Sequence, residues 1–259
     1  MTSTRETLSS AGQLSLFDLQ LLSEIPIARA PDRRIAVPKR AWRDHRDVFN
    51  ARLLDGLTVV GPYDIPRIAA CTAVPGSLIA FSEAGGLTVP TPASWVHFYE
   101  DDYRFEQIWE RPEQWIRRLR SFAGVISPDF SLYRNMPNAQ QIFNTYRNQL
   151  LGARMQAEGI PVIANVRLNG RASSPHALAG APRRSTIAIG LHGCTRARSN
   201  RRLVVEEVRI ICDELAPANL VVYGGLGFGV LDYPRELGIP VHVFPPDTYT
   251  RSQFRTAAA

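Results

Sequence analysis

Beyond Asp55 the chain alternates short apolar runs with longer amphipathic stretches, the rhythm of βαβ units. The clearest runs predict strands at Trp95 to Tyr99, Gly124 to Ser127, Pro161 to Val166, Thr186 to Gly190, Leu220 to Tyr223 and Val241 to Phe244. They are apolar almost throughout, as strands covered on both faces should be. Helices are expected at about Arg104 to Ser121, Pro137 to Glu158, Asn200 to Leu215 and Tyr233 to Leu237. In the second, Ile142, Phe143, Tyr146, Leu150 and Met155 fall on one stripe. Two weaker runs, Leu57 to Val60 and Leu78 to Phe81, would bring the strands to eight. The predicted class is therefore α/β, with parallel strands alternating with helices. A closed or irregular (βα) barrel is preferred, with an open doubly wound sheet as the alternative. The Gly224 to Gly229 run has the wrong glycine spacing for a dinucleotide loop and reads as a turn.

Residues 1 to 50 follow a different pattern: polar, then an apolar patch, then a basic stretch punctuated by Pro26, Pro31 and Pro38. They are expected to form a flexible tail, leaving 51 to 259 as a single α/β domain. Between Arg29 and Arg46 seven basic residues face two acidic ones, which suits either a solvated linker or an arm that tracks phosphates.

Composition narrows the class further. A chain of 259 residues, 45% hydrophobic, can bury a sizeable core. No signal peptide or membrane-spanning run is visible, and Cys71, Cys194 and Cys212 are too few and too widely spaced for a zinc framework. These features predict a cytoplasmic protein with no membrane partner. A net charge of +6 and a pI near 9.6 favour anionic partners such as DNA. Lys39 is the single lysine, so nearly all of this charge sits on arginine.

In either parallel architecture the loops after the strands converge on one rim, and the most unusual polar residues fall there. Asp101 and Asp102 follow the first clear strand, Asp129 follows the next, and His192 and Cys194 follow the fourth. These five are the candidate catalytic groups, by acid/base chemistry, nucleophilic attack or a metal of unspecified kind. Helix capping by the two neighbouring acids, and a packed turn holding the thiol, are the structural alternatives. Tyr133, Arg134, Arg147, Asn165, Arg167 and Tyr223 are the candidate substrate- or anion-binding groups. Nothing in the pattern specifies a cofactor or decides whether the rim is catalytic.

Four blocks give the rim a further meaning. Val96 to Asp102 (VHFYEDD), Gly124 to Ser131 (GVISPDFS), Asn144 to Asn148 (NTYRN) and Ala188 to Cys194 (AIGLHGC) closely resemble the family catalogued as domain of unknown function 4417. The resemblance runs in order from about Ile79 to Phe244, and Gly170 to Arg184 departs from it by lacking a Cys-Phe-Asp-Gly block. It implies an origin among bacteria, archaea, phages or mobile elements, and carries no catalytic role to any residue.

The tail adds a second resemblance. Gln13, Leu14, Ser15, Leu16 and Phe17 are similar over all five positions to the peptide that bacterial polymerases and repair proteins insert into the sliding clamp. Leucine and phenylalanine would fill an apolar pocket while glutamine sets the register. The same residues could instead belong to an amphipathic helix packed on the body. Three functions remain open at this point. One is a DNA-associated protein of a phage, plasmid or other mobile element, recruited to the clamp and acting on nucleic acid or nucleotides at the rim. The others are a small-molecule hydrolase or lyase of barrel type, and a non-catalytic adaptor joining the clamp to DNA or protein.

Overall fold

Seven of the predicted strands lie side by side in strict chain order. In the computed structural model, which describes residues 32–36, 47–86, 93–194, 198–225 and 227–246, these are β4 (Ser77–Ala80), β5 (Ser94–His97), β6 (Gly124–Ile126), β7 (Val162–Asn165), β8 (Thr186–Gly190), β9 (Asn219–Tyr223) and β10 (Val241–Phe244). Every neighbouring pair is parallel. A doubly wound sheet must reverse its direction of growth at a switch point, and this one never does. The sheet therefore curls into a nearly closed barrel. Among the described residues no pairing joins β4 to β10, so a seam remains between the first and last strands.

The period-two alternation of the strands separates two cores. Val96, Phe98, Val125, Val162, Ala164, Ile187, Ile189, Leu220 and Val222 face outward into the larger core under the helices. Trp95, Tyr99, Ile126, Ile163, Ala188, Val221 and Tyr223 face inward and fill the barrel. Cys71 and Ala73 pack on this inner cluster. Their segment is tied to the sheet where β8 begins: the Thr186 N–H donates to the Cys71 carbonyl at 2.8 Å, and the Cys71 N–H donates to Ser185 Oγ at 2.9 Å. This segment therefore packs at the amino-terminal end of the barrel.

The outer helices are α1 (Phe81–Gly86), α2 (Asp102–Glu110), α3 (Pro112–Leu119), α4 (Asn138–Ala157), α5 (Ser174–Ala177), α6 (Arg198–Leu215) and α7 (Asp232–Glu236). The single helix expected over Arg104 to Ser121 is two. Pro112 lacks an N–H and disfavours helical geometry in the residue before it, and Arg111 accordingly leaves the helical region at φ −137°, ψ 59°.

Leu57 to Val60 also departs from expectation. Its strand, β2 (Thr58–Val60), belongs to a separate antiparallel sheet between β1 (Arg33–Arg34) and β3 (Ile65–Pro66). Gly61 at φ 70° and Asp64 at φ 50° turn the chain straight back, so no crossover helix can form and the strand cannot join the parallel sheet. Two described pieces of residues 1–50 are in contact with the body: β1 pairs with β2, and the Asn50 side-chain amide donates to the Trp109 carbonyl at 2.7 Å. Gln13, Leu14, Ser15, Leu16 and Phe17 lie outside the described residues. No described helix is long and apolar enough to cross a membrane.

Candidate active or binding site

All seven parallel strands deliver residues to one cavity of about 690 Å³ at their carboxyl ends. Ala80, Tyr99, Asp129, Arg167, Gly190, Tyr223 and Pro246 each lie at or just beyond the end of a different strand. Residues up to 166 positions apart meet there only because the strands run in parallel.

The floor is a hydrogen-bonded chain of four side chains. The Tyr99 hydroxyl donates to Asn165 Oδ1 at 3.0 Å, and Asn165 Nδ2 donates to Asp129 Oδ1 at 2.8 Å. Arg167 donates from Nε to the same Oδ1 at 2.7 Å and pairs through its second nitrogen with Oδ2. Asn165 and Arg167 are two residues apart on one extended segment, so both point inward by alternation. Burial works against the Arg167 charge, but the Asp129 carboxylate outweighs it and holds the guanidinium pKa above its ordinary value. Burial, reinforced by the negative Asp129, pushes the Tyr99 hydroxyl well above the usual tyrosine range, so it stays a neutral donor. The Tyr99 and Tyr223 rings stack at 5.0 Å, and His97 lies below them, 4.4 Å from Tyr223. Burial lowers the His97 pKa to about 3, which leaves that imidazole neutral.

Close approach at the floor requires glycine. A Cβ on Gly190 would stand 2.6 Å from the Tyr99 ring, and one on Gly224, at φ 138°, would stand 2.9 Å from the His192 backbone nitrogen.

The candidate residues separate into those the cavity gathers and those it does not. Asp101, Asp129, Tyr133, Arg134, Arg167, His192, Cys194 and Tyr223 line it, and Asn165 supports it from beneath. Asp101 occupies the position before α2 without using its side chain as a cap. His192 is exposed and sets the edge of its ring toward Tyr223 at 6.3 Å. The Cys194 thiol lies 3.8 Å from an Arg167 nitrogen and 3.7 Å from the carbonyls of Gly190 and His192. Among the described residues its polar contacts thus run to Arg167 and to backbone, with none to the His192 imidazole.

Asp102 and Arg147 stand outside the cavity. The Asp102 carboxylate accepts the Ser131 N–H at 3.2 Å and the Ser131 hydroxyl at 2.8 Å, stapling the start of α2 to the loop after β6. Burial raises its pKa and those two bonds oppose the rise. Arg147 lays its guanidinium 3.5 Å from the Phe130 ring centroid and pairs with Glu106, so its charge is used between helices.

The cavity also holds residues that strand-end reasoning did not single out. Ser82 and Glu83 follow β4, a strand whose weak apolar run gave its loop little weight. Glu100 accepts the Ser82 N–H at 3.0 Å. Arg104, Asn135, Asn169 and Asn200 line the walls. Glu207 comes from the middle of α6, where no loop signal exists. It accepts the Gly170 N–H at 2.7 Å, and burial raises its pKa despite that bond and the positive Arg134 and Arg167. Among the described residues no group of three or more His, Cys, Asp or Glu side chains is arranged to hold a metal ion.

Residues 57–231 match the family described as Domain of unknown function (DUF4417). The chain belongs to that family. The span contributes six of the seven strand ends around the cavity, all but Pro246, so the site is part of the DUF4417 fold. The chain is similar to the Gene 1 protein of Mycobacterium phage L5, with 33% identity over 189 residues that cover 70% of this chain and 78% of the relative. It is also similar to the Gene 1 protein of Mycobacterium phage D29, 30% identical over 183 residues covering 70% and 67%. Both relatives are encoded by phages, which links this DUF4417 chain to mobile elements. No solved structure matches it.

Proposed function

We propose that this DUF4417 protein is a DNA-associated protein of a phage or related mobile element whose strand-end cavity holds one nucleotide unit. One observation carries the reading: Arg104 and Arg134, both exposed, line the mouth with no ion pair among the described residues, and Tyr133 stands beside them. Exposed cations next to an aromatic ring offer phosphate and base separate places to bind. The acidic lining is offset in part. Asp129 is neutralised by Arg167, and burial raises the Glu207 pKa, which leaves Glu207 the wall whose charge an anion meets at neutral pH. A volume of about 690 Å³ falls in the range of small-molecule pockets, which fits a nucleotide and excludes a duplex. The side-chain amides of Asn135, Asn169 and Asn200 supply donors and acceptors for a base edge. This reading gives the acid/base role to Asp101 and His192, both on the cavity lining.

The tail peptide Gln13 to Phe17 supports recruitment to the bacterial sliding clamp, which would bring the cavity to DNA. Two measurements test the whole. Calorimetric titration with deoxynucleoside monophosphates should give binding that Arg134→Ala weakens by roughly tenfold, the worth of a charge-assisted contact. Absence of binding in the wild-type protein removes the nucleotide reading. Capture on immobilised clamp should be strong for the wild type and lost in a Leu16→Ala, Phe17→Ala variant. Equal retention of the two removes recruitment.

A further inference from the structure

Two Tyr-Arg dipeptides stand at the rim, where Arg104, Tyr133 and Arg134 line the cavity and Tyr103 immediately precedes Arg104. Tyr103-Arg104 lies in the first turn of α2, beyond β5, and Tyr133-Arg134 lies in the loop beyond β6. Strands β5 and β6 are paired neighbours. The Asp102 carboxylate grips Ser131 by its N–H and its hydroxyl, so the two dipeptides flank a single staple. The second is braced again, because Asn169 Nδ2 donates to the Tyr133 carbonyl at 2.9 Å. Both backbones are therefore held in place while both rings project. Tyr103 is 73% exposed and Tyr133 57% exposed, so neither ring contributes to the core. The Arg104 guanidinium lies 5.6 Å from the Tyr103 centroid, which sets that ring beside a cation.

A flat exposed ring followed by a cation with no ion pair among the described residues, repeated at adjacent strand ends, matches the needs of a polymer with alternating aromatic and anionic parts. We propose that the mouth is a track for single-stranded nucleic acid, in which Tyr103 and Tyr133 each stack a base and Arg104 and Arg134 meet the neighbouring phosphates. The strand is led across the rim and one of its nucleotides enters the cavity, so this proposal rests on the nucleotide reading above. Duplex is disfavoured on the track because its bases are already stacked and offer no free face to a tyrosine. Stacking of this kind tolerates any base, so binding is largely independent of sequence.

Fluorescence anisotropy with labelled oligothymidylates, competed by thymidine monophosphate, tests the track on the full chain. The tetramer should bind more tightly than the monomer. Tyr103→Ala should weaken the tetramer by roughly tenfold, in line with the loss of one stacked base, and leave the monomer unchanged, while Tyr103→Phe keeps the ring and the affinity. Arg104→Ala should reduce the slope of log affinity against log salt by about 0.7, as for one phosphate of a single strand. A monomer that binds as tightly as the tetramer overturns the track and leaves the cavity reading standing. Tetramer binding that follows the tyrosines without any monomer binding removes the cavity reading and the entry of a nucleotide, and upholds only the stacking of bases on the two tyrosines. Tetramer affinity unchanged in both Tyr103→Ala and Tyr133→Ala overturns the track, and no binding of either ligand removes both.

Discussion

Arg167 meets Asp129 at two points where β6 and β7 end, with Nε donating to one carboxylate oxygen and a terminal nitrogen pairing with the other. The Asp129 side chain is only 5% exposed, so its charge depends on that partner more than on water. Removing one member of a buried pair strands the other, whereas removing both does not. Arg167→Met should therefore lower unfolding stability by roughly 3 to 5 kcal/mol, and adding Asp129→Asn should recover a substantial part of it. Urea unfolding of the two single variants and the double variant measures this. Additive losses would mean that the contact is not the source of the stability.

Gly190 makes the second link in the floor. Its missing side chain is what lets the Tyr99 ring lie against β8, since a methyl there would stand 2.6 Å from the ring. Gly190→Ala must displace Tyr99, break its bond to Asn165 and strain a packed interior, at a cost of about 1 to 3 kcal/mol. Thermal unfolding reads the loss, and a shift in tyrosine fluorescence reads the displaced ring. An unchanged Tm would show that Tyr99 has room the packing does not suggest.

These two positions also mark what the sequence made legible. Strand ends at Tyr99, Asp129, Arg167, Gly190 and Tyr223 followed from buried parallel strands, whose apolar runs stop where the chain reaches the rim. Arg147 did not follow. It sits in α4 four residues after Phe143, and only tertiary packing on Phe130 turns its guanidinium away from the rim. Glu207 was missed for the converse reason: it lies in mid-helix, and α6 enters the cavity by its side. The break before Pro112 was available from local chemistry, because the proline acts on its own neighbour. The direction of β2 depended on backbone angles at Gly61 and Asp64, and of the two only the glycine announces itself in sequence.

His97 should make the fold sensitive to acid. Its pKa is lowered by burial from 6.5 to about 3, so between those values the unfolded chain binds a proton that the folded chain refuses. Stability from this residue is complete above pH 6.5 and declines as pH falls toward 3, with a slope of at most about 1.4 kcal/mol per pH unit. His97→Gln removes the titration. Urea midpoints measured from pH 7 down to pH 4 should fall more steeply for the wild type than for the variant, whatever the variant's absolute stability. Parallel curves would mean that His97 is protonated in the folded state.

Burial also gives the cavity a pH response, through Glu207. Burial raises its carboxyl pKa above the usual 4.5, so on acidification it becomes neutral before an ordinary glutamate would. An anion in the cavity is then repelled less, because one wall has lost its negative charge while Arg134 and Arg167 keep theirs. Affinity for a deoxynucleoside monophosphate should decline as pH rises through the Glu207 pKa, by about fivefold for one charge at short range in a partly solvated site. The phosphate itself gains charge near pH 6, and that effect must be separated. Glu207→Gln does so: it stays neutral at every pH and still offers an oxygen to the Gly170 N–H. The variant should bind more tightly than the wild type at neutral pH and converge with it in acid. Equal affinities across the range would place Glu207 too far from the ligand to matter and would shift the binding position toward the Tyr133 side of the mouth.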